Sequence, residues 1–162
     1  PKSAEDLVAD LMDIVSKNGC LLLNIGPRKD GVIPDDQKKT LLDIGNWLKV
    51  NGEAIYGSKY YEIYGEGPTK TETGHLSEDQ NKGFTEDDIR FTTNNGALYA
   101  TILKTPTKDI QISYLTPSKM DITSIELLGY DGEITFEQSD KGTKITLPKG
   151  VNLYYAWVFE IE

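Results

Sequence analysis

Ile89-Arg90-Phe91-Thr92-Thr93-Asn94-Asn95-Gly96-Ala97-Leu98-Tyr99-Ala100-Thr101-Ile102-Leu103 is the stretch whose reading decides the fold. Two runs rich in β-branched and aromatic residues flank Asn94-Asn95-Gly96. Asn-Gly supplies the positive φ values that a tight hairpin turn requires. Further strand signals follow at 110–115, 122–128, 133–137, 144–147 and 154–161, with turns at Asp131-Gly132, Lys141-Gly142 and Lys149-Gly150. About seven short strands at this spacing predict an all-β antiparallel sandwich over residues 89–162. Within the last of them, Tyr155, Trp157 and Phe159 alternate onto one face, which suits burial in a core or interface.

Upstream the pattern changes. Residues 58–88 read as a connecting segment, polar from Gly65 to Thr85 and holding the only histidine, His75. Connections of this length are functional or mobile. Residues 1–57 read as helix, strand, helix. Ser3 is the expected N-cap, with Asp6 three residues on, and Leu7, Val8, Leu11, Met12 and Val15 recur at helical spacing. Asn18-Gly19 ends that helix, the glycine being expected in the left-handed position. Cys20-Leu21-Leu22-Leu23-Asn24-Ile25 is an apolar run with one polar residue, as expected of a strand buried on both faces. Pro34, Asp35 and Asp36 open a second helix, whose apolar side is Leu41, Leu42, Ile44, Trp47 and Leu48. One such strand has no neighbour to satisfy its backbone, so these residues are expected to be part of a larger architecture. The first residue, Pro1, reads as the lead-in to a helix and points the same way.

Composition narrows the partners. The chain has 162 residues, 26 acidic against 17 basic, and a formal net charge of -9. Its Lys and Arg residues form no stripe, which argues against nucleic acid and anionic membrane as partners. No apolar run approaches the roughly 20 residues of a membrane-spanning helix. The single cysteine, Cys20, excludes an internal disulfide and is read as a buried, inert thiol.

Candidate chemistry is sparse. Asp35/Asp36, Glu78/Asp79 and Glu86/Asp87/Asp88 are adjacent acids on turns or helix ends. Solvated charge explains them better than catalysis, because nothing positions or desolvates them. His75 lacks a nucleophile-elbow motif, and no spacing suits a zinc or calcium site, so no metal or cofactor is expected. Tyr60, Tyr61 and Tyr64, with Tyr154, Tyr155 and Trp157, leave a second reading open, an autonomous carbohydrate-binding sandwich that stacks sugars on exposed rings.

Two blocks carry a resemblance. Val15-Ser16-Lys17-Asn18-Gly19-Cys20-Leu21-Leu22-Leu23-Asn24-Ile25-Gly26-Pro27, continuing to Asp30-Gly31-Val32-Ile33-Pro34, is the first. Ile44-Gly45-Asn46-Trp47-Leu48-Lys49-Val50-Asn51-Gly52-Glu53-Ala54-Ile55-Tyr56-Gly57 is the second. Both resemble the α-L-fucosidases of glycoside hydrolase family 29. Tyr64-Gly65-Glu66-Gly67-Pro68-Thr69 and Asp88-Ile89-Arg90-Phe91-Thr92 are similar to its bacterial members. Cys20 departs from the pattern, standing where an Asn is expected.

The resemblance implies the end of a catalytic (β/α) barrel over 1–57, followed by the sandwich. It also implies hydrolysis of terminal α-L-fucose with retention, through a carboxylate nucleophile and a second carboxyl group acting as acid then base. In the family these lie before the first helix read here, so no residue of this chain is assigned a catalytic role, and the chain alone is expected to be inactive. Active-site groups of barrels gather at the C-terminal ends of strands. Asn24 is therefore a candidate substrate-binding residue, with Leu22 and Cys20 sharing its face as an apolar wall for the C6 methyl of fucose. The plainer reading is that Asn24 bonds neighbouring backbone and the leucines fill the barrel. The implied partners are a fucosylated glycan and the missing barrel portion. The implied location is periplasmic or secreted. Helices left uncovered are expected to pack on the sandwich or to bring copies together as a homo-oligomer.

Overall fold

A computed structural model of the chain describes residues 2–71 and 83–162; His75, Glu78 and Asp79 lie outside them. In chain order the elements are α1 (Ala4–Ser16), α2 (Asp35–Asn51), a 3₁₀ turn (Gly52–Ala54), β1 (Lys59–Glu66), β2 (Ile89–Asn94), β3 (Ala97–Ile102), β4 (Ile110–Ile112), β5 (Ile125–Leu127), β6 (Phe136–Ser139), β7 (Gly142–Ile145) and β8 (Trp157–Ile161).

The expected hairpin forms. Asn94 pairs with Ala97, leaving Asn95 and Gly96 as a two-residue turn. Their φ values of 50° and 87° are both left-handed, as a type I′ turn demands. This hairpin lies within a five-stranded sheet of order β1-β2-β3-β8-β5, and a three-stranded sheet of order β4-β7-β6 faces it. Every pairing is antiparallel. Side chains from both sheets share one core, with Phe91, Leu98, Phe159 and Ile161 meeting Ile112 and Ile145. The expected sandwich is there.

The helices add a third layer. Ser3 caps α1, its Oγ accepting from the Asp6 N–H at 3.1 Å and donating to Asp6 Oδ2 at 2.7 Å. At the other end Asn18, not Gly19, takes the left-handed conformation at φ 62°. Asparagine enters that region more readily than other residues with a Cβ. Val8, Ala9 and Met12 of α1 and Trp47 of α2 then pack on Tyr99, Leu103 and Val158. These helices therefore lie on the outer face of the five-stranded sheet, and all six residues of β3 are buried. Trp47 Nε1 donates to the Ala156 carbonyl at 2.9 Å, fastening α2 to the approach of β8. Of the two fates expected for the helices, packing on the sandwich is observed.

Three further readings are corrected, the first in two respects. Cys20 to Ile25 form no strand, and Leu22 is 95% exposed. None of the strands among the described residues pairs with this run, so its backbone has no ladder to join. The segment instead runs irregularly between the helices, tied by the Gly26 N–H to Gln37 Oε1 at 2.9 Å. For the same reason Cys20 is an exposed thiol, not a buried one. Second, the stretch 58–88 holds a strand, β1, with Tyr61 and Ile63 packed against the core and an irregular register between Tyr60 and Gly65. Third, Tyr155 does not share the face of Trp157 and Phe159. It precedes β8 with φ 66° and joins the cluster beneath the helices.

Candidate functional site

The helices and the segment between them enclose a cavity of about 580 Å³. Its apolar wall includes Leu7 and Ile14 of α1, Leu21, Leu22 and Ile25 of the segment, and Leu41 of α2. Asn24 and Leu22 both line it, so two of the three candidate substrate-binding residues share one wall. Cys20 is exposed and lies outside that lining.

Two of the three acids that line this cavity, Asp10 and Asp13, are engaged in charge pairs. Asp10 accepts from Lys2 Nζ at 2.9 Å. Asp13 is buried and holds two cations, Arg90 Nε on Oδ1 at 2.6 Å and Lys17 Nζ on Oδ2 at 2.8 Å. Arg90 is itself only 1% exposed; its guanidinium lies 5.3 Å from the Tyr64 ring centre and 5.4 Å from that of Phe84. Its Nη1 donates to the Glu66 and Ile89 carbonyls. A desolvated guanidinium is tolerable only when a carboxylate and further acceptors meet it in this way. Nothing in the sequence reading paired these residues. The available signal was a lone arginine inside an apolar strand.

The acidic run at 86–88 is structural. Asp88 accepts from the N–H and hydroxyl of both Thr69 and Thr85 at 2.7–3.1 Å, closing the two ends of the polar connection. Burial alone would raise its pKa, but these donors outweigh burial and hold the carboxyl below its ordinary value. Glu86 accepts from the Thr107 N–H and hydroxyl, and Asp87 pairs with Lys108 at 2.8 Å. Asp35 and Asp36 stand in the first turn of α2, where the helix dipole favours them.

On the outer face of the large sheet, Glu126 of β5 lies opposite Glu160 of β8, which lies opposite Tyr99 of β3. The Tyr99 hydroxyl is 3.3 Å from Glu53 and 3.4 Å from Glu160. Burial, then the carboxylates of Glu53, Glu126 and Glu162, push the Glu160 pKa up. Among the described residues no group of three or more His, Cys, Asp or Glu is placed to hold a metal ion. No helix among them is long and apolar enough to cross a membrane.

The aromatic residues divide. Trp157 and Phe159 are core residues, and Tyr61 meets Phe91 edge-on at 5.8 Å. Tyr56, Tyr60, Tyr64 and Tyr154 are exposed.

Comparison with known proteins gives these parts a family. Residues 1–53 match the family described as Alpha-L-fucosidase, and residues 80–162 match the Alpha-L-fucosidase C-terminal domain. The tissue α-L-fucosidase of Rattus norvegicus is 36% identical over 145 residues, covering 89% of this chain and 28% of that protein. The human tissue α-L-fucosidase is 31% identical over 161 residues, 96% of this chain and 31% of that one. The chain thus spans about a third of the length of the curated relatives it matches. Among solved structures, the α-fucosidase of Thermotoga maritima aligns with a TM-score of 0.77 at 35% identity, over 99% of this chain and 35% of that one. With both halves matched and the fold shared, the chain belongs to the α-L-fucosidase family.

Proposed function

We propose that this chain is the carboxyl-terminal part of a longer α-L-fucosidase that releases terminal α-L-fucose with retention of configuration. Residues 1–57 supply the last elements of its (β/α) barrel and the sandwich braces them. The observation that carries this reading is the run Cys20 to Ile25, a buried-strand sequence left without a partner strand beside a cavity walled by leucines. Neighbouring barrel strands would satisfy its backbone and cover Leu22.

Retention requires two carboxyl groups about 5–5.5 Å apart, one forming the glycosyl-enzyme and the other protonating the leaving oxygen and then activating water. Of the acids near the cavity, Asp10 and Asp13 are held by lysine and arginine and Asp36 stands in the first turn of α2, so this chain's share of the reaction is placement rather than proton transfer. With the barrel complete, Asn24 stands near the C-terminal end of its strand, facing the substrate. Leu22 and Cys20 form an apolar wall against the C6 methyl of fucose. The substrate is a fucosylated glycan, met in the periplasm or outside the cell.

Hydrolysis of a chromogenic α-L-fucoside by the 162-residue chain and by a full-length enzyme carrying it tests the proposal. Turnover by the longer protein alone supports it. Turnover by the purified chain itself overturns it, because a catalytic pair would then lie within these residues.

A further inference from the structure

A second cavity, of about 360 Å³, opens on the other side of α2, between Asp43, Asn46 and Trp47 of that helix and Asn152, Tyr154 and Tyr155 before β8. Its lining is unlike that of the first. A flat ring stands beside one carboxylate and several amide groups.

The ring is Tyr154, which is 72% exposed. Beside it Tyr155 has φ 66°, a left-handed backbone that bulky residues rarely adopt. The conformation is clamped from several sides. Thr105 Oγ1 donates to the Tyr155 carbonyl at 2.9 Å, Trp47 Nε1 donates to the next carbonyl, and burial, then the nearby Asp43 carboxylate, push the pKa of the Tyr155 hydroxyl up. Asp43 is further fixed by Lys39 Nζ at 2.5 Å. The bend keeps Tyr155 under the helices while its neighbour stays in solvent, the two ring centres 6.5 Å apart and tilted by 54°. An exposed aromatic ring held out beside a strained, clamped residue is poor for stability and suited to binding.

We propose that this cleft binds a neutral saccharide, one pyranose ring lying on the face of Tyr154 with its hydroxyls met by Asn46 and Asn152. A pyranose offers the matching chemistry, an apolar face of C–H groups that packs on an aromatic ring and an edge of hydroxyls. Asparagine amides carry both donors and acceptors, which suits vicinal hydroxyls. An anionic ligand is disfavoured by Asp43 beside the ring and by the chain's net charge of -9. The choice of a glycan as ligand rests on the fucosidase reading, but the site itself requires no hydrolysis. It would hold a part of the glycan other than the fucose being cleaved.

The test is a titration of the ¹⁵N-labelled chain with L-fucose, D-galactose, N-acetyl-D-glucosamine and a fucosylated trisaccharide, followed by amide chemical shifts. Saturable shifts confined to 43–47 and 152–156 are expected, with Tyr154→Ala weakening binding at least about tenfold and Asn46→Ala acting in the same direction. Both positions are exposed, so neither variant threatens folding. Tyr60→Ala, at an exposed ring on β1, should leave affinity unchanged. Absence of saturable shifts with every sugar overturns the proposal, as does binding that Tyr154→Ala leaves intact. Fucoside hydrolysis by the full-length enzyme, read separately, shows whether the fucosidase reading fails with it or survives.

Discussion

Arg90 Nε donates to Asp13 Oδ1 at 2.6 Å inside the protein, joining α1 to β2 across 77 positions of sequence. Removing one partner leaves the other charge buried and unpaired. Asp13→Ala is therefore expected to cost about 3–5 kcal/mol, read as a shift in the urea midpoint at unchanged slope. Replacing both together, Asp13→Leu with Arg90→Met, should recover a large part of that loss. A double variant no more stable than the single one would show that the pairing is not what the residues contribute.

Glu160 gives the fold an acid-favouring component. Its folded pKa is raised above the ordinary 4.5, so its charge is a penalty at neutral pH. That penalty lifts as the pH falls through the folded value. Glu160→Gln should stabilise the chain at pH 7 by a few tenths to about 1 kcal/mol, and the gain should vanish below about pH 4. Thermal midpoints of the two proteins across pH decide it.

Asp88 acts with the opposite sign. Its folded pKa is lowered, so its contribution is present above the unfolded value near 3.8 and is lost as the pH falls through the folded one. Asp88→Asn should cost about 1.5–3 kcal/mol at pH 7, because the amide cannot accept from all four threonine donors. The difference from the parent should narrow in strong acid, as chemical denaturation at each pH would show.

Cys20 tests how the cavity is covered. In the 162-residue chain the thiol is exposed and should react stoichiometrically with a maleimide without denaturant. In a full-length enzyme carrying this chain the same thiol is expected to be protected, because a rebuilt strand would bury it. Equal labelling rates in the two proteins would contradict the proposed barrel placement.

Local chemistry was the part of the fold most legible in the sequence. The Asn95-Gly96 turn and the Ser3 cap follow from the conformations and hydrogen bonds those residues favour, wherever they stand in a chain. The strand reading of Cys20 to Ile25 failed because a ladder is a property of two segments, and none of the strands among the described residues pairs with this run. β1 was hidden by an irregular register that blurs alternation between Tyr60 and Gly65. Of the candidate site, Asn24 and Leu22 were brought to one cavity wall and Cys20 was not. Tyr154 was among the rings the sequence offered for sugar stacking, but its cleft was not legible, since it needs a helix from one end of the chain and a left-handed tyrosine from the other.

The centre of the five-stranded sheet is covered on both faces. One side meets the smaller sheet and the other meets α1 and α2, with Val8 and Met12 in the same cluster as Tyr99 and Val158. The two family segments matched in this chain, residues 1–53 and 80–162, are thus separate chapters in sequence but a single object in folding. Grafting this sandwich onto a foreign catalytic unit would lay bare a hydrophobic surface selected to fit one particular pair of helices. The two segments are bound to be inherited, engineered and lost together.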